Sequence, residues 1–360
     1  ILAYESKWNF GRPGVVAQRH ANFIVQKADL IVAIGSSLDN VLTAYNPQNF
    51  APGAKKIIVN IDENQLFHCA IPNSLMVCTS AKNFLEKLSE RLTLDDLNLE
   101  IEPWLQECTK LKDEFQDDFP NEPEDNKKIS HKDLVLELSS ILEEGQLIAT
   151  GSSGLAIEAF YMMFRNKKKQ KYFLTSGLGS MGYGLPASIG ISCENSGKSI
   201  ILVESDGSLA MNVQELQTVV NNNLPICIIL MNNDGYASIR NTQTNYFENR
   251  FFGTGREAGQ DMPNWRKIAA AYEVFYDEIE NISDLSPALS RFGKNKKATL
   301  INVKLTPNEK LLPKCAAMPQ SDGKIISMPL EDMTPLLPLT KLKKIIGERL
   351  NQSSISVRGK

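Results

Sequence analysis

The chain has 360 residues, 42% hydrophobic and 22% charged, with a formal net charge of −3. That balance fits a globular protein with material for two domains, or three; nothing in it suggests the basic face of a nucleic-acid binder, and no apolar run approaches the roughly 20 residues that cross a bilayer. Six cysteines without a C-x-x-C pair and three well-separated histidines argue for reduced thiols in a soluble, cytoplasmic protein and against a zinc or disulfide framework.

Residues 28–35, ADLIVAIG, and 54–62, AKKIIVNID, are short apolar runs ending at Gly35 and Asp62, as buried parallel strands do. A helical pattern follows from Ala81 to Leu92. From Thr93 to Asn126 the composition turns acidic and polar, interrupted by Pro103, Pro120 and Pro123, which marks a boundary. The division read this way is a central domain over 1–92, a linker over 93–129, a second domain over 130–310 and a carboxy-terminal tail over 311–360. Ser130-His131-Lys132-Asp133 has the spacing of a capping box opening a helix that ends near Glu144. The run Lys167-Lys168-Lys169 reads as a solvated helix end. Then come a strand at 146–150, a helix at 155–165, a strand at 171–174, a helix at 185–192, a strand at 199–204, a helix at 211–222 and a strand at 226–231. After a long irregular segment, a helix at 263–271 and a strand at 298–303 precede a proline-punctuated tail. This alternation predicts an α/β fold of two doubly wound, mostly parallel sheets, the first Rossmann-like, with ligands at the carboxyl ends of the strands.

Residues 175–190, TSGLGSMGYGLPASIG, place Gly177, Gly179 and Gly182 in G-x-G-x-x-G spacing, with a strand-like run before them and Glu204 some 20 residues further on. An NAD-binding oxidoreductase is one reading of that pattern. Against it, Gly184 and Pro186 follow the triplet, and proline favours the first helical turn. The helix then starts near Leu185, beyond the glycines rather than among them.

A second constellation lies in residues 199–236, SIILVESDGSLAMNVQELQTVVNNNLPICIILMNNDGY. One strand runs into Asp206-Gly207 and a later strand into Asn232-Asn233, with 24 residues between Gly207 and Asn232. If the two strands are neighbours, a right-handed crossover brings both carboxyl ends to one edge of the sheet. The Asp206 carboxylate and the Asn233 amide oxygen then converge. Two hard oxygens and a nearby backbone carbonyl suit Mg²⁺ or Ca²⁺, and Mg²⁺ usually leaves positions for phosphate oxygens. Gly207 and Ser208 offer backbone N–H groups near a helix start, where an anion is favoured. Each dipeptide alone is ordinary turn chemistry; the ordered pair calls for a metal and a diphosphate.

This spacing resembles the thiamine-diphosphate motif, G-D-G followed some two dozen residues later by N-N, with Ser205 standing where the first glycine is usual. Together with TSGLGSMGYGLPASIG, the ATGSSG loop, GRPGVVAQRHANFIVQKADLIVAIGSSLDN, KKIIVNIDENQL and the tail PLEDMTPLLP, it is similar to acetolactate-synthase-like enzymes of the large-subunit type over nearly the whole chain. The resemblance implies thiamine diphosphate and Mg²⁺ as cofactors. It implies that the Gly179 backbone approaches the cofactor's aminopyrimidine while Met181 wedges beneath it, and that Ser152 and Ser153 touch the diphosphate. By the same resemblance Gly235 lends its carbonyl to the metal and Tyr236 lies beside the phosphates. The implied reaction is decarboxylation or carboligation of a 2-keto acid, pyruvate first among them, in a homodimer or homotetramer. Segment 234–252, DGYASIRNTQTNYFENRFF, is expected to cover the substrate. Its Ser238 and Thr242 stand where acetolactate synthases carry Met and Trp, which opens the acceptor to a keto-sugar nucleotide of modified-sugar or polysaccharide synthesis. Family members carry a further amino-terminal domain with the glutamate that activates the cofactor; this chain starts at Ile1 in what resembles the central domain, so it is expected to be a carboxy-terminal fragment, inactive by itself, with no catalytic residue assignable in it. Some members bind FAD through an arginine in a G-x-R-F-D-D-like segment; Gly35-Ser36-Ser37-Leu38-Asp39 has serine there, and FAD stays open. A non-catalytic module that keeps the fold stands as the other rival.

Overall fold

The computed structural model describes residues 2–92, 101–119, 128–151, 154–174, 178–195, 197–319 and 325–358. The chain forms two compact units, one of Phe10–Pro120 with Leu312–Lys360, the other of Ile1–Asn9 with Asn121–Leu311.

The first unit opens with α1 (Arg19–Lys27), β1 (Leu30–Ile34), β2 (Lys55–Asn60), α2 (Glu63–Phe67), β3 (Ser74–Cys78) and α3 (Ala81–Arg91). Its strands pair in parallel in the order β1-β2-β3. Helix α4 (Glu102–Phe115) falls inside the stretch expected to be a linker. Its buried Leu111 and Phe115 explain why it folds: Phe115 meets Phe23 of α1 edge-on, with ring centroids 5.3 Å apart. Residues 93–100 and 120–127 of that stretch lie outside the described residues.

His20 on α1 is fully buried, and burial pushes its pKa down to about 4, against some support from the Phe115 carbonyl. The unfolded chain therefore binds a proton below the ordinary histidine value of 6.5 that the folded unit refuses until about pH 4, so this contribution is present above 6.5 and lost as pH falls. At about 1.4 kcal/mol per pH unit, roughly 2 kcal/mol is gone by about pH 5. Urea unfolding of His20→Leu should be less sensitive to that pH drop than the parent chain. Equal sensitivity would contradict the assignment.

The second unit contains α5 (His131–Ile141), β4 (Leu147–Thr150), α6 (Leu155–Met163), β5 (Lys171–Phe173), α7 (Gly184–Glu194), β6 (Ile200–Ser205), α8 (Asp206–Leu209), α9 (Leu216–Asn221), β7 (Ile226–Asn232), α10 (Ala237–Tyr246), α11 (Trp265–Ala271), β8 (Phe275–Ile279), α12 (Leu285–Asn295) and β9 (Thr299–Lys304). All six strands run parallel in the order β5-β4-β6-β7-β9-β8. Every residue of β7 and five of the six in β6 are buried, which is why these strands read as continuous apolar runs. From β4 the chain steps outward to β5, then returns to β6 on the other side of β4. That reversal leaves a crevice at the carboxyl ends, where open α/β sheets take their ligands.

Ser130 Oγ accepts from the Asp133 amide at 2.9 Å, the cap its spacing predicted. Lys167 of the lysine run reaches the Ser140 carbonyl near the end of α5 at 2.6 Å. The single helix expected over 211–222 is instead a 3₁₀ stretch over Ala210–Glu215 followed by α9. Asn212 breaks it, with φ −132° and ψ 30°, because its side chain turns to donate to the Gly182 carbonyl at 2.9 Å.

The tail belongs to the first unit. It forms β10 (Lys314–Cys315), β11 (Ala317–Pro319), β12 (Ile325–Ser327), β13 (Met333–Thr334), α13 (Leu339–Ile346) and α14 (Gln352–Arg358). Its PLEDMTP segment is not a loose end: Glu331 and Asp332 are buried, Gln26 of α1 donates to Glu331 at 2.5 Å and Arg358 of α14 to Asp332 at 2.7 Å. Among the described residues no helix is long and apolar enough to cross a membrane.

Candidate cofactor and metal site

Strands β6 and β7 are direct neighbours, with Ser205 opposite Met231 in the last pair of the register. Asp206 and the Asn232-Asn233 pair thus emerge together at the carboxyl edge. The Asp206 carboxylate is fully buried; one oxygen accepts from the Gly207 amide at 2.7 Å and the other from the Gly235 amide at 2.8 Å. Burial raises its pKa to about 6, opposed by those amides and by the Arg240 guanidinium. Ser205 sits in ordinary extended backbone, φ −85° and ψ 154°, so serine fits there without strain and glycine's freedom is not required.

Asn233 is 2% exposed, and its Oδ1 is buried with no hydrogen-bond partner among the described residues. An amide oxygen kept from water without a partner is costly. The chemistry that relieves it is a hard cation shared with the neighbouring Asp206 carboxylate and a backbone carbonyl. The Gly235 carbonyl accepts from the Ala237 amide at 3.1 Å and keeps a second lone pair. Among the described residues there is no group of three His, Cys, Asp or Glu side chains able to hold a metal ion, so an amide and a carbonyl have to complete any such site. The residues present fit a small divalent cation of the Mg²⁺ kind.

The turn after β7 is shaped by close approach. Gly235 adopts φ +113°, and a Cβ there would stand 2.8 Å from the Thr254 carbonyl. At Gly207 a Cβ would stand 2.6 Å from the Tyr236 ring, so Tyr236 packs on the Asp206-Gly207 turn as well as following Gly235. Arg240 of α10 holds the turn from outside, donating to the carbonyls of Asn233 at 2.6 Å, Asp234 at 3.0 Å, Thr254 at 2.6 Å and Pro307 at 2.7 Å. Arg240 lies in what read as an irregular segment, and no motif announced it.

The Gly207 amide donates to the Asp206 carboxylate at 2.7 Å, and the Ser208 hydroxyl accepts from the Gly182 amide at 2.8 Å. These two residues brace the site from within. On the glycine-rich loop, Gly179 and Gly182 have φ of +60° and +77°, and Met181 is 37% exposed, presenting a thioether at the surface of the crevice loop. Ser152, Ser153 and Gly177 lie outside the described residues. Glu204, the acid that a dinucleotide reading needs at a ribose, is fully buried and accepts from the amides of Gly184 at 3.2 Å and Ser205 at 3.0 Å.

Residues 149–303 match the family model described as the thiamine pyrophosphate enzyme C-terminal TPP binding domain, and residues 1–88 match that of the thiamine pyrophosphate enzyme central domain. The acetolactate synthase large subunit of Cyanidium caldarium is 28% identical over 309 residues, covering 85% of this chain and 51% of that protein. The acetolactate synthase isozyme 1 large subunit of Escherichia coli (strain K12) is 28% identical over 307 residues, covering 85% and 52%. The chain spans about half the length of these curated relatives. Among solved structures, the Rhodococcus jostii RHA1 thiamine diphosphate-dependent 4-hydroxybenzoylformate decarboxylase shares the fold, with a TM-score of 0.59 at 19% identity over 78% of this chain and 50% of that one.

Proposed function

We propose, for a chain that belongs to the thiamine pyrophosphate enzymes, that the carboxyl edge of β6 and β7 holds thiamine diphosphate through Mg²⁺, in an enzyme that decarboxylates or carboligates a 2-keto acid. The observation that carries this reading is the buried, unpartnered Oδ1 of Asn233, the residue that follows β7 where β7 lies beside the strand leading into Asp206. Asp206, Asn233 and the Gly235 carbonyl would ligate the cation, and the cation would bridge to the diphosphate. When bound, the cofactor supplies the carbanion chemistry. The protein's own residues bind and orient: Arg240 fixes the turn, Tyr236 and Gly207 keep it compact, and the loop around Gly179 and Met181 would hold the ring end of the cofactor. Pyruvate is the substrate that suits the acetolactate synthase relatives. The small Ser238 and Thr242 on α10, one turn apart with Thr242 Oγ1 donating to the Ser238 carbonyl at 3.1 Å, leave room for a larger acceptor such as a keto-sugar nucleotide.

Calorimetric titration of thiamine diphosphate into the chain tests the reading. Heat of binding that requires Mg²⁺, and competition by inorganic diphosphate with Mg²⁺ but not by NADH, supports it. Binding indifferent to Mg²⁺, or NADH binding in its place, overturns it. Met181→Ala should lower turnover of the active enzyme more than it lowers cofactor affinity, because a wedge shapes the bound cofactor without tethering it, and small misplacements of reacting groups are costly. Unchanged turnover would assign Met181 to packing alone.

A further inference from the structure

An asparagine makes a metal ligand only if its amide presents oxygen and not nitrogen. Nothing on β6 or β7 decides that orientation. The Asn233 Nδ2 lies 3.4 Å from Nε2 of His131, the first residue of α5, which is 1% exposed. An N–H group can point at Nε2 only if that nitrogen carries its lone pair, which places the imidazole proton on Nδ1. Nδ1 meets Glu309 Oε2 at 2.5 Å, and the same oxygen accepts from the His131 backbone amide at 2.7 Å. Glu309 is 8% exposed. The order is therefore Glu309 accepting from His131 Nδ1–H, His131 Nε2 accepting from Asn233 Nδ2–H, and Asn233 Oδ1 left free and turned away from the imidazole.

We infer that His131 and Glu309 are positioning residues for the metal site: the carboxylate sets the imidazole tautomer, and the imidazole sets the Asn233 amide so that its oxygen faces the cation. This rests on the reading that Asn233 ligates the metal. Neither residue touches the cation or the diphosphate. Groups that orient a ligand in this way typically change metal affinity by about 10- to 100-fold when removed.

The test is Mn²⁺ affinity, followed by electron paramagnetic resonance in the presence of thiamine diphosphate, for the parent chain, Asn233→Ala, His131→Leu and His131→Gln, and for His131→Leu combined with Asn233→Asp. A carboxylate offers an oxygen whichever way it turns, so Asn233→Asp removes the need for orientation. His131→Leu should weaken Mn²⁺ about 10-fold or more in the parent, and His131→Gln, which can still accept from Nδ2, should recover most of that loss. In the Asn233→Asp background the His131→Leu penalty should disappear. An equal penalty in both backgrounds makes His131 a packing residue and overturns the inference, as does a His131→Leu chain with parental affinity. If Asn233→Ala itself binds Mn²⁺ as the parent does, the metal assignment fails, and the inference falls with it by a separate result.

Discussion

Asp206→Asn is expected to lose Mg²⁺-dependent binding of thiamine diphosphate while making the metal-free chain more stable at neutral pH. The carboxylate is fully buried, and its pKa is raised from 3.8 to about 6. A folded-state pKa above the unfolded one means that the folded chain holds its proton more tightly, so the associated stability is complete below 3.8 and lost as pH rises through about 6. Ionised Asp206 thus costs the metal-free fold on the order of 3 kcal/mol at neutral pH. Asparagine keeps an oxygen for one of the two amide donors and carries no charge. Without a cation, thermal unfolding should occur at a higher temperature in Asp206→Asn than in the parent at neutral pH, with the gap closing toward about pH 4. With Mg²⁺ and thiamine diphosphate the order should reverse, because only the parent gains by binding. A destabilised metal-free variant, or retained Mg²⁺-dependent binding, would show that the buried charge is not there for a cation.

Gly151→Ala should be strongly destabilising in the second unit. A Cβ at Gly151 would stand 2.1 Å from Glu204 Oε1 and 2.8 Å from its Cδ, with no atom of another residue among its three nearest neighbours. Glu204 cannot swing aside, being fully buried and engaged with the amides of Gly184 and Ser205. Overpacking of this severity costs about 1–3 kcal/mol or more. Since the clash is with one side chain, Gly151→Ala should be far less harmful in a Glu204→Ala background, a coupling that chemical unfolding of the two single variants and the double variant would reveal. Additive losses would mean that the strand end shifts as a whole and that Glu204 is not the obstacle. The arrangement also explains the apparent dinucleotide signature. Glu204 stands some 20 residues after the glycine triplet, yet its carboxylate braces the loop from below.

What could be read from the sequence and what could not divides along physical lines. β6 and β7 are buried on both faces, so their apolar runs are plain in the sequence, and with them the expectation that Asp206 and Asn233 meet beyond adjacent strand ends. Strand β8, FYDEI, is an edge strand with two acids and half-exposed positions, and it gave no such run. Helix α10, ASIRNTQTNY, buries little beyond Ala237, so it has no apolar stripe to mark it, although it carries Arg240. Helix α4 hides its packing face among the acidic residues that suggested a linker. The Asn212 kink and the Glu309–His131–Asn233 series depend on partners 30, 102 and 178 positions away, and pairings at that range leave no local pattern.

The central claim, that Asp206 and Asn233 jointly hold the cation that anchors a diphosphate, is tested most directly by locating that cation. Crystals of the chain grown with Mn²⁺ and thiamine diphosphate should show one anomalous-scattering peak at bonding distance from an Asp206 carboxylate oxygen, Asn233 Oδ1 and the Gly235 carbonyl, with diphosphate oxygens completing its shell. A diphosphate bound without that peak, or a peak on other carboxylates with Asn233 Oδ1 left unligated, would contradict it.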